Sequence, residues 1–425
     1  MVIPRRFATL IAALAALVMV TAMQPIAQAA PDPGSHRYLV TGAKTPQQRS
    51  GLARTGASID RVRDDGSVEV SAIPAEVAAI KRLGLKLSAL PAEKPVPGLA
   101  ATSYHTYAET LAEIDQTVAN YPQIAKKVVF GKSYQGRDIV GVKISDNVNT
   151  DEAEPEVLYI ANIHARERIT DEQALDLIGI LTKQYNSTAR ITDIVNSREI
   201  YIIPIMNPDG QVYDMTSDTQ PGRMWRKNRQ PNSTSIGTDL NRNFPYKWGC
   251  CGGSSGNGSS ETYRGPSAAS APETNVMMNF VNSRIVNGVQ QLKLFLDIHS
   301  NAKLVLWPFG YTYSNTVPGT MTSDEEATHR TIGTQMAQSN GYTPEQSSDL
   351  YITDGTTDDW TWGTQRSGTQ RLFSFTVELA GSSFYPPPSQ IDSLVSNNRN
   401  ALLTLTEYAD CPYRAIGKQA QYCSA

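Results

Sequence analysis

Short, continuously apolar runs alternate along this chain with segments whose apolar positions recur at helical spacing. "RDIVGVKI" (137–144), "EVLYIANI" (156–163), "EIYIIPI" (199–205), "LKLFLDI" (292–298), "KLVLWPF" (303–309) and "LFSFTVEL" (372–379) read as strands. After its first residue, 156–163 has no polar face, as expected of a strand covered on both sides. Between the runs, Thr106 with Glu109 forms a capping-box pattern ahead of Tyr107, Leu111, Ile114, Val118 and Tyr121. Thr170 with Gln173 repeats it ahead of Ala174, Leu175, Ile178 and Leu181. Strands alternating with helices predict an α/β fold, a mixed, mostly parallel open sheet with helices on both faces.

The region before residue 99 has a different pattern. "HRYLVTG" (36–42) and "SVEVSAI" (67–73) read as strands and "PAEVAAIKRLG" (74–84) as a helix. "LSALPAEKPVPGLA" (87–100) is a Pro- and Ala-rich linker without periodicity. Ahead of this unit, Arg5 and Arg6 precede an apolar run from Phe7 to Ala22 and the small-residue stretch "AQAA" (27–30). That is the layout of a secretory signal, and the run is shorter than the ~20 residues of a spanning helix. The expected organisation is a signal peptide (1–30), a small α+β unit with its linker (31–98) that reads as a pro-segment, with a retained N-terminal subdomain as the alternative, a large domain (99–410) and a tail (411–425). Cleavage near 95–101 would mature a secreted, extracellular protein.

Composition narrows the classes. With 38 Lys+Arg against 41 Asp+Glu in 425 residues, no charge excess points to nucleic acid or an acidic membrane surface. A monomer with no membrane attachment after signal removal is expected. In an exported chain the four cysteines favour disulfides over metal ligands. Cys411 with Cys423 would close the tail and leave Cys250 and Cys251 as an adjacent pair; cross-pairing is the alternative.

Chemically capable residues stand where the apolar runs stop: His164, Asn207 with Asp209, His299 and Glu378. Each alone has an ordinary reading as a loop or surface residue. Together they point to one site beyond the carboxyl ends of the strands, where open α/β sheets bind ligands. Two histidines and a glutamate suit a catalytic zinc, with His164 and Glu167 the close pair and His299 the distant ligand. A separate carboxylate must then take a proton from water, and Glu378 is the candidate.

"HARE" (164–167), "MWRKNR" (224–229), "DLNRN" (239–243), "LDIHS" (296–300) and "FTVEL" (375–379) resemble, in order and spacing, the zinc carboxypeptidases of the pancreatic A/B type. The secreted bacterial carboxypeptidase T-like members with a "CCGGSSG" loop look closest. The resemblance implies one Zn²⁺ on His164, Glu167 and His299; carboxypeptidase A is itself the reference example of such a set. It also implies that Arg226 stabilises the oxyanion, that Asn241, Arg242 and Tyr351 hold the substrate's α-carboxylate, and that Arg166 binds further along the peptide. Asp239 would fix the His164 ring. The partners implied are peptides and proteins with a free C-terminus.

Two positions bear on specificity. Asp358, within "DLYITDGTTDDWTWG" (349–363), falls where the B subgroup carries an acid for Lys or Arg, whereas Gly310 resembles the roomy A-type pocket. The mixture implies hydrolysis of both basic and apolar C-terminal residues. Asn301 departs from the pancreatic pattern by standing where those enzymes have a tyrosine. The acidic stretch "SDNVNTDEAEPE" (145–156) is a candidate Ca²⁺ site, with an exposed acidic loop as the alternative. Competing functions are a zinc amidase of cell-wall peptides and a peptide-binding relative without catalysis.

Overall fold

The computed structural model describes residues 34–91, 104–215, 222–233, 235–364, 366–367 and 370–423. The signal stretch 1–30 and residues 92–100 of the linker lie outside them. The first unit holds β1 (His36–Thr41), α1 (Pro46–Ala53), β2 (Ser58–Val62), β3 (Val68–Ala72), α2 (Pro74–Arg82) and β4 (Lys86–Ala89). Its antiparallel sheet has the order β2-β3-β1-β4, and Val40, Leu52, Val68, Val70 and Ile80 pack into a core of its own. The small α+β pattern expected for 31–98 is therefore present, with α1, β2 and β4 in addition to the elements read from the sequence. The first residues of the supposed linker, Leu87–Ala89, belong to β4.

The large unit is built from α3 (Tyr107–Asn120), β5 (Ala125–Lys132), β6 (Asp138–Ile144), β7 (Glu156–Ala161), α4 (Ile169–Lys183) and β8 (Glu199–Ile203). It continues through α5 (Pro272–Ser283), β9 (Leu292–Ser300), β10 (Leu304–Trp307), α6 (Ser323–Asn340), β11 (Thr343–Gln346), α7 (Thr357–Thr364), β12 (Phe373–Leu379) and α8 (Arg399–Glu407). Its sheet has the order β11-β10-β12-β9-β7-β8-β6-β5. The central strands β8, β7, β9 and β12 run parallel, as do β10 and β11, while β5–β6, β6–β8 and β10–β12 are antiparallel. The mixed sheet expected from the sequence is borne out.

Strand alternation explains the unbroken apolar runs. Val157, Tyr159, Leu294, Leu296 and Phe375 face α3, α4, α6 and α8 through Ile114, Leu175, Ile332 and Leu402. Leu158, Ile160 and Phe295 face the other way, onto Met277 and Val281 of α5 and Trp360 of α7. Truncating such a fully buried side chain to alanine costs about 2–5 kcal/mol, so the sheet is a rigid platform for whatever its ends carry.

The capping box at Thr106 and Glu109 forms as expected. The one at Thr170 does not. Helix α4 starts at Ile169, with Arg168 as an N-cap that makes no side-chain bond. The Thr170 hydroxyl instead donates to Glu167 O at 2.6 Å and accepts from Asn162 N at 3.0 Å, tying the loop between β7 and α4 across its neck. Both cysteine pairs are disulfides, Cys250–Cys251 and Cys411–Cys423, which selects one of the pairings left open by the sequence.

Candidate metal centre and peptide cleft

Strand β7 ends at Ala161, and the next residue, Asn162, with a φ of +50°, turns the chain sharply. Asn tolerates this left-handed region better than branched or bulky residues do. The turn delivers His164 and Glu167, both buried, over the carboxyl end of the sheet. His299 arrives from β9. Its register partner on β12 is Glu378, so the two side chains leave neighbouring parallel strands on the same face. Arg226 is drawn in by a backbone bond from Ala165 N to Arg226 O at 3.1 Å.

The imidazole Nδ1 atoms of His164 and His299 lie 2.9 and 3.0 Å from the two carboxylate oxygens of Glu167. One ligand atom from each of the three lies within 4.8 Å of the others, a spacing that a single small cation can bridge. Behind each ring stands a second carboxylate. Asp239 Oδ1 is 3.0 Å from His164 Nε2, and Asp297 Oδ2 is 3.0 Å from His299 Nε2. With Nε2 protonated against an aspartate, each Nδ1 keeps its lone pair for a metal. Among the described residues, the donor set and its backing therefore fit zinc.

The charges are arranged around a cation. Burial alone would raise the Glu167 carboxyl, but His164 and His299 hold it well below the usual carboxylate range. Burial opposes ionisation of Asp239 too, and Arg226 and His164 more than reverse that. Desolvation would lower the His299 pKa, yet Asp297 and Glu167 lift it well above normal. Three carboxylates thus pull a positive charge onto this spot, whether a proton or a metal supplies it. Glu378 behaves differently: burial pushes its carboxyl up to about 7, with His299 opposing and Glu167 adding to the rise. The Arg226 guanidinium donates from Nε and Nη2 to Asp239 Oδ2 at 3.1 and 3.0 Å, and its Nη1 is 3.9 Å from Glu167 Oε1. Burial would weaken its charge, but those two carboxylates keep it protonated.

One cleft is lined by His164, Glu167, Arg226, Asn241, Arg242, His299, Tyr351, Asp358 and Glu378, so nearly all the expected site residues meet. A profile of the zinc carboxypeptidase family matches residues 110–401. The chain belongs to the zinc carboxypeptidase family. It is 41% identical over 399 residues to a zinc carboxypeptidase of Saccharothrix mutabilis subsp. capreolus, covering 88% of this chain and 89% of that one. A zinc carboxypeptidase of Simulium vittatum is 37% identical over 293 residues, covering 68% and 90%. Its fold is similar to carboxypeptidase A from Helicoverpa armigera, at a TM-score of 0.71 and 23% identity, covering 91% and 98%. It is also similar to bovine thrombin-activatable fibrinolysis inhibitor bound to tick carboxypeptidase inhibitor, at a TM-score of 0.62 and 27% identity, covering 72% and 97%. This zinc carboxypeptidase is a metallopeptidase that acts on peptides.

Other expectations meet the structure less simply. Arg166 does not face an open subsite. It is fully buried beneath the first unit, with Nη2 donating to Asp60 Oδ1 at 2.7 Å and to Ser58 Oγ at 3.3 Å, over the Phe384 ring at 4.5 Å. Asn207 and Asp209 stay outside the cleft. Asn207 donates to Ile163 O and Lys227 O, splicing two site loops together, and Asp209 accepts from Ser133, Gln135 and Arg137. Gly310 does not open extra room, because a Cβ there would sit 2.2 Å from Thr353 Oγ1. Asn301 is buried. In the acidic stretch, Asp146, Glu152 and Glu154 gather with ligand atoms within 4.8 Å, whereas Glu156 is neutralised by Arg284 and Glu199 by Lys143.

Asp297 was missed by the sequence reading. It precedes His299 by two positions in "LDIHS", and strand alternation alone puts the two on one face. Asp60 was also missed. It and Ile59, both from β2, line the same cleft, a contact between distant segments that no local pattern signals.

Proposed function

We propose that this protein is a secreted zinc carboxypeptidase made as a proenzyme, which removes single C-terminal residues, basic and apolar, from peptides. The observation that carries this is the single cleft holding the His164–Glu167–His299 set, Glu378, and the Arg226, Asn241 and Arg242 side chains. Zinc bound by the three ligands would lower the pKa of a coordinated water and polarise the scissile carbonyl.

The chain's own groups would do the rest. Glu378 takes the proton of the attacking water and passes it to the leaving amine, a role worth about 10²–10⁴-fold in rate. Arg226, held by Asp239, presents charged donors to the developing oxyanion, worth about 3–4 kcal/mol. Arg242 is aimed by bonds from Nε to Gly253 O at 3.0 Å and from Nη1 to Asn241 O at 2.6 Å. Among the described residues its Nη2 has no protein partner, which leaves a charged donor for the terminal carboxylate. Asn241 is fixed by Thr357 N donating to its Oδ1 at 2.9 Å, and Tyr351 stands beside it in the cleft wall. Asp358 is buried, accepting from Ser347 Oγ at 2.9 Å, and would pair with a substrate Lys or Arg, while Leu306 and Leu350 line the cleft for apolar side chains.

Residues 34–91 cover this cleft, which supports the pro-segment reading. Asp60 occupies Arg166, Tyr351 packs against their apolar core, and Arg49 donates to Asp349 O and Leu350 O at 2.7 and 2.6 Å. Calcium is a secondary proposal for Asp146, Glu152 and Glu154, checked by whether Ca²⁺ raises the Tm of zinc-loaded protein.

The test of function is release of free C-terminal Lys and Leu from peptides, compared with C-terminally amidated peptides and with cell-wall muropeptides. Hydrolysis confined to peptides with a free carboxylate, and abolished by Glu378→Gln with zinc retained, is expected. Equal hydrolysis of the amides, cleavage of muropeptides alone, or an active Glu378→Gln variant would contradict it.

A further inference from the structure

The Cys250–Cys251 disulfide has no part in the reaction as described. Joining adjacent residues, it links no distant parts of the fold and closes no long loop whose unfolded entropy it could reduce. Its effect is local: it closes a small ring through one peptide bond and so removes torsional freedom from that unit. Cys250 is exposed and Cys251 half-buried.

The residues just after the ring are held by one carboxylate. Asp354 has no exposed surface. Its Oδ2 accepts from Cys251 N at 3.2 Å and Gly253 N at 2.9 Å, and its Oδ1 accepts from the Ser254 hydroxyl. Gly253 rests directly on the Tyr351 loop, since a Cβ there would fall 2.3 Å from Thr353 Cα and 2.7 Å from Ile352 O. Its carbonyl is the acceptor for Arg242 Nε at 3.0 Å. From the other side Gly355, at φ +66°, lies so close that a Cβ would meet Arg242 O at 2.5 Å, and its carbonyl accepts from Phe244 N at 3.0 Å. The backbone and side chain of Arg242 are thus both set by segments that Asp354 joins.

We propose that the loop 250–254, stiffened by the Cys250–Cys251 disulfide and seated on Asp354, is a positioning device for the carboxylate clamp. It fixes the aim of the Arg242 guanidinium and the base of the Tyr351 loop together, without touching substrate. A freely rotating Cys250–Cys251 peptide would let Gly253 O drift, and Arg242 would follow it. Angstrom-scale misplacement of a positioning group carries penalties of about ten- to a hundredfold. The inference rests on Arg242 being the carboxylate clamp.

The test uses zinc-loaded enzyme freed of its pro-segment by processing of the full chain, with a short peptide ending in Leu as substrate. Arg242→Ala, the double variant Cys250→Ser/Cys251→Ser, and Asp354→Asn are compared for kcat, KM, zinc content and Tm. We expect Arg242→Ala to raise KM by about a hundredfold or more, and the two loop variants to raise it about tenfold with kcat and zinc content near those of the parent. A merely structural loop would instead lower kcat, zinc content and Tm together, and that result overturns the proposal. An unchanged KM in both loop variants, with Arg242→Ala impaired, also overturns it while leaving the clamp intact. If Arg242→Ala itself keeps the parent KM, the clamp reading fails first and the loop has nothing to position.

Discussion

Replacing Asp60 by Asn should loosen the first unit from the cleft. The Arg166–Asp60 pair is 2.7 Å long and both side chains are 1% exposed. Removing one partner of such a pair commonly costs about 3–5 kcal/mol, because the remaining charge stays buried and uncompensated. Here Glu261 lies 3.7 Å from Arg166 Nη1 and the Phe384 ring is 4.5 Å from the guanidinium carbon, so the lower end, about 3 kcal/mol, applies. That corresponds to about a hundredfold change in the balance between seated and lifted pro-segment. The assay measures hydrolysis of a short peptide by the uncleaved chain, with and without the substitution, alongside the rate at which the broad-specificity protease subtilisin cuts the linker at 92–100. Both rates should rise by up to about that factor. An uncleaved Asp60→Asn chain that is no more active and no more easily cut than the parent would refute the reasoning.

Three further outcomes are expected. Glu378 works only when ionised; burial lifts its carboxyl to about 7 and a nearby zinc charge would lower it, so kcat/KM should fall on the acid side with its limb at or below pH 7. A rate that stays flat down to pH 4 would speak against Glu378 as the base. Asp297→Asn, which weakens the acceptor behind His299 Nε2, should reduce zinc affinity about 10–100-fold, read by competition with a chelator; unchanged affinity would remove Asp297 from the site. His329 is fully buried with its pKa lowered to about 3 by desolvation, and Nε2 accepting from Ser374 N at 3.3 Å fixes it neutral. Its folded pKa lies below its unfolded value of ~6.5, so stability is lost as pH falls below ~6.5 towards 3, by at most about 1.4 kcal/mol per pH unit. Over that range the Tm of the parent should drop more steeply than that of His329→Gln, which lacks the titrating ring; parallel curves would contradict this.

The sequence carried the sheet well because its central strands are covered on both faces, and an unbroken run such as 156–163 has few other uses. It pointed to the candidate site because His164, His299 and Glu378 stand at strand ends, where register alone brings His299 beside Glu378. It misplaced the start of α4, because the Thr170 hydroxyl serves the loop neck rather than the helix end. Short elements such as β2 and β4 left weak traces, since their pattern depends on pairing with β3 and β1. The burial of Arg166 against Asp60, and the closure of Gly310 by Thr353, are contacts between segments far apart in the chain. No spacing rule reports such contacts; the first emerges when the two units pack and the second when the large unit folds on itself.

The central claim is that a zinc held by His164, Glu167 and His299 works with Glu378 on a peptide bearing a free carboxylate. The most direct measurement is the release of C-terminal Leu and Lys by the processed enzyme before chelation, after chelation, and after stoichiometric Zn²⁺ is returned. Activity should vanish with the metal and return with one zinc per chain, and a His299→Ala chain should neither retain the metal nor recover. Undiminished hydrolysis after complete removal of zinc would contradict the account.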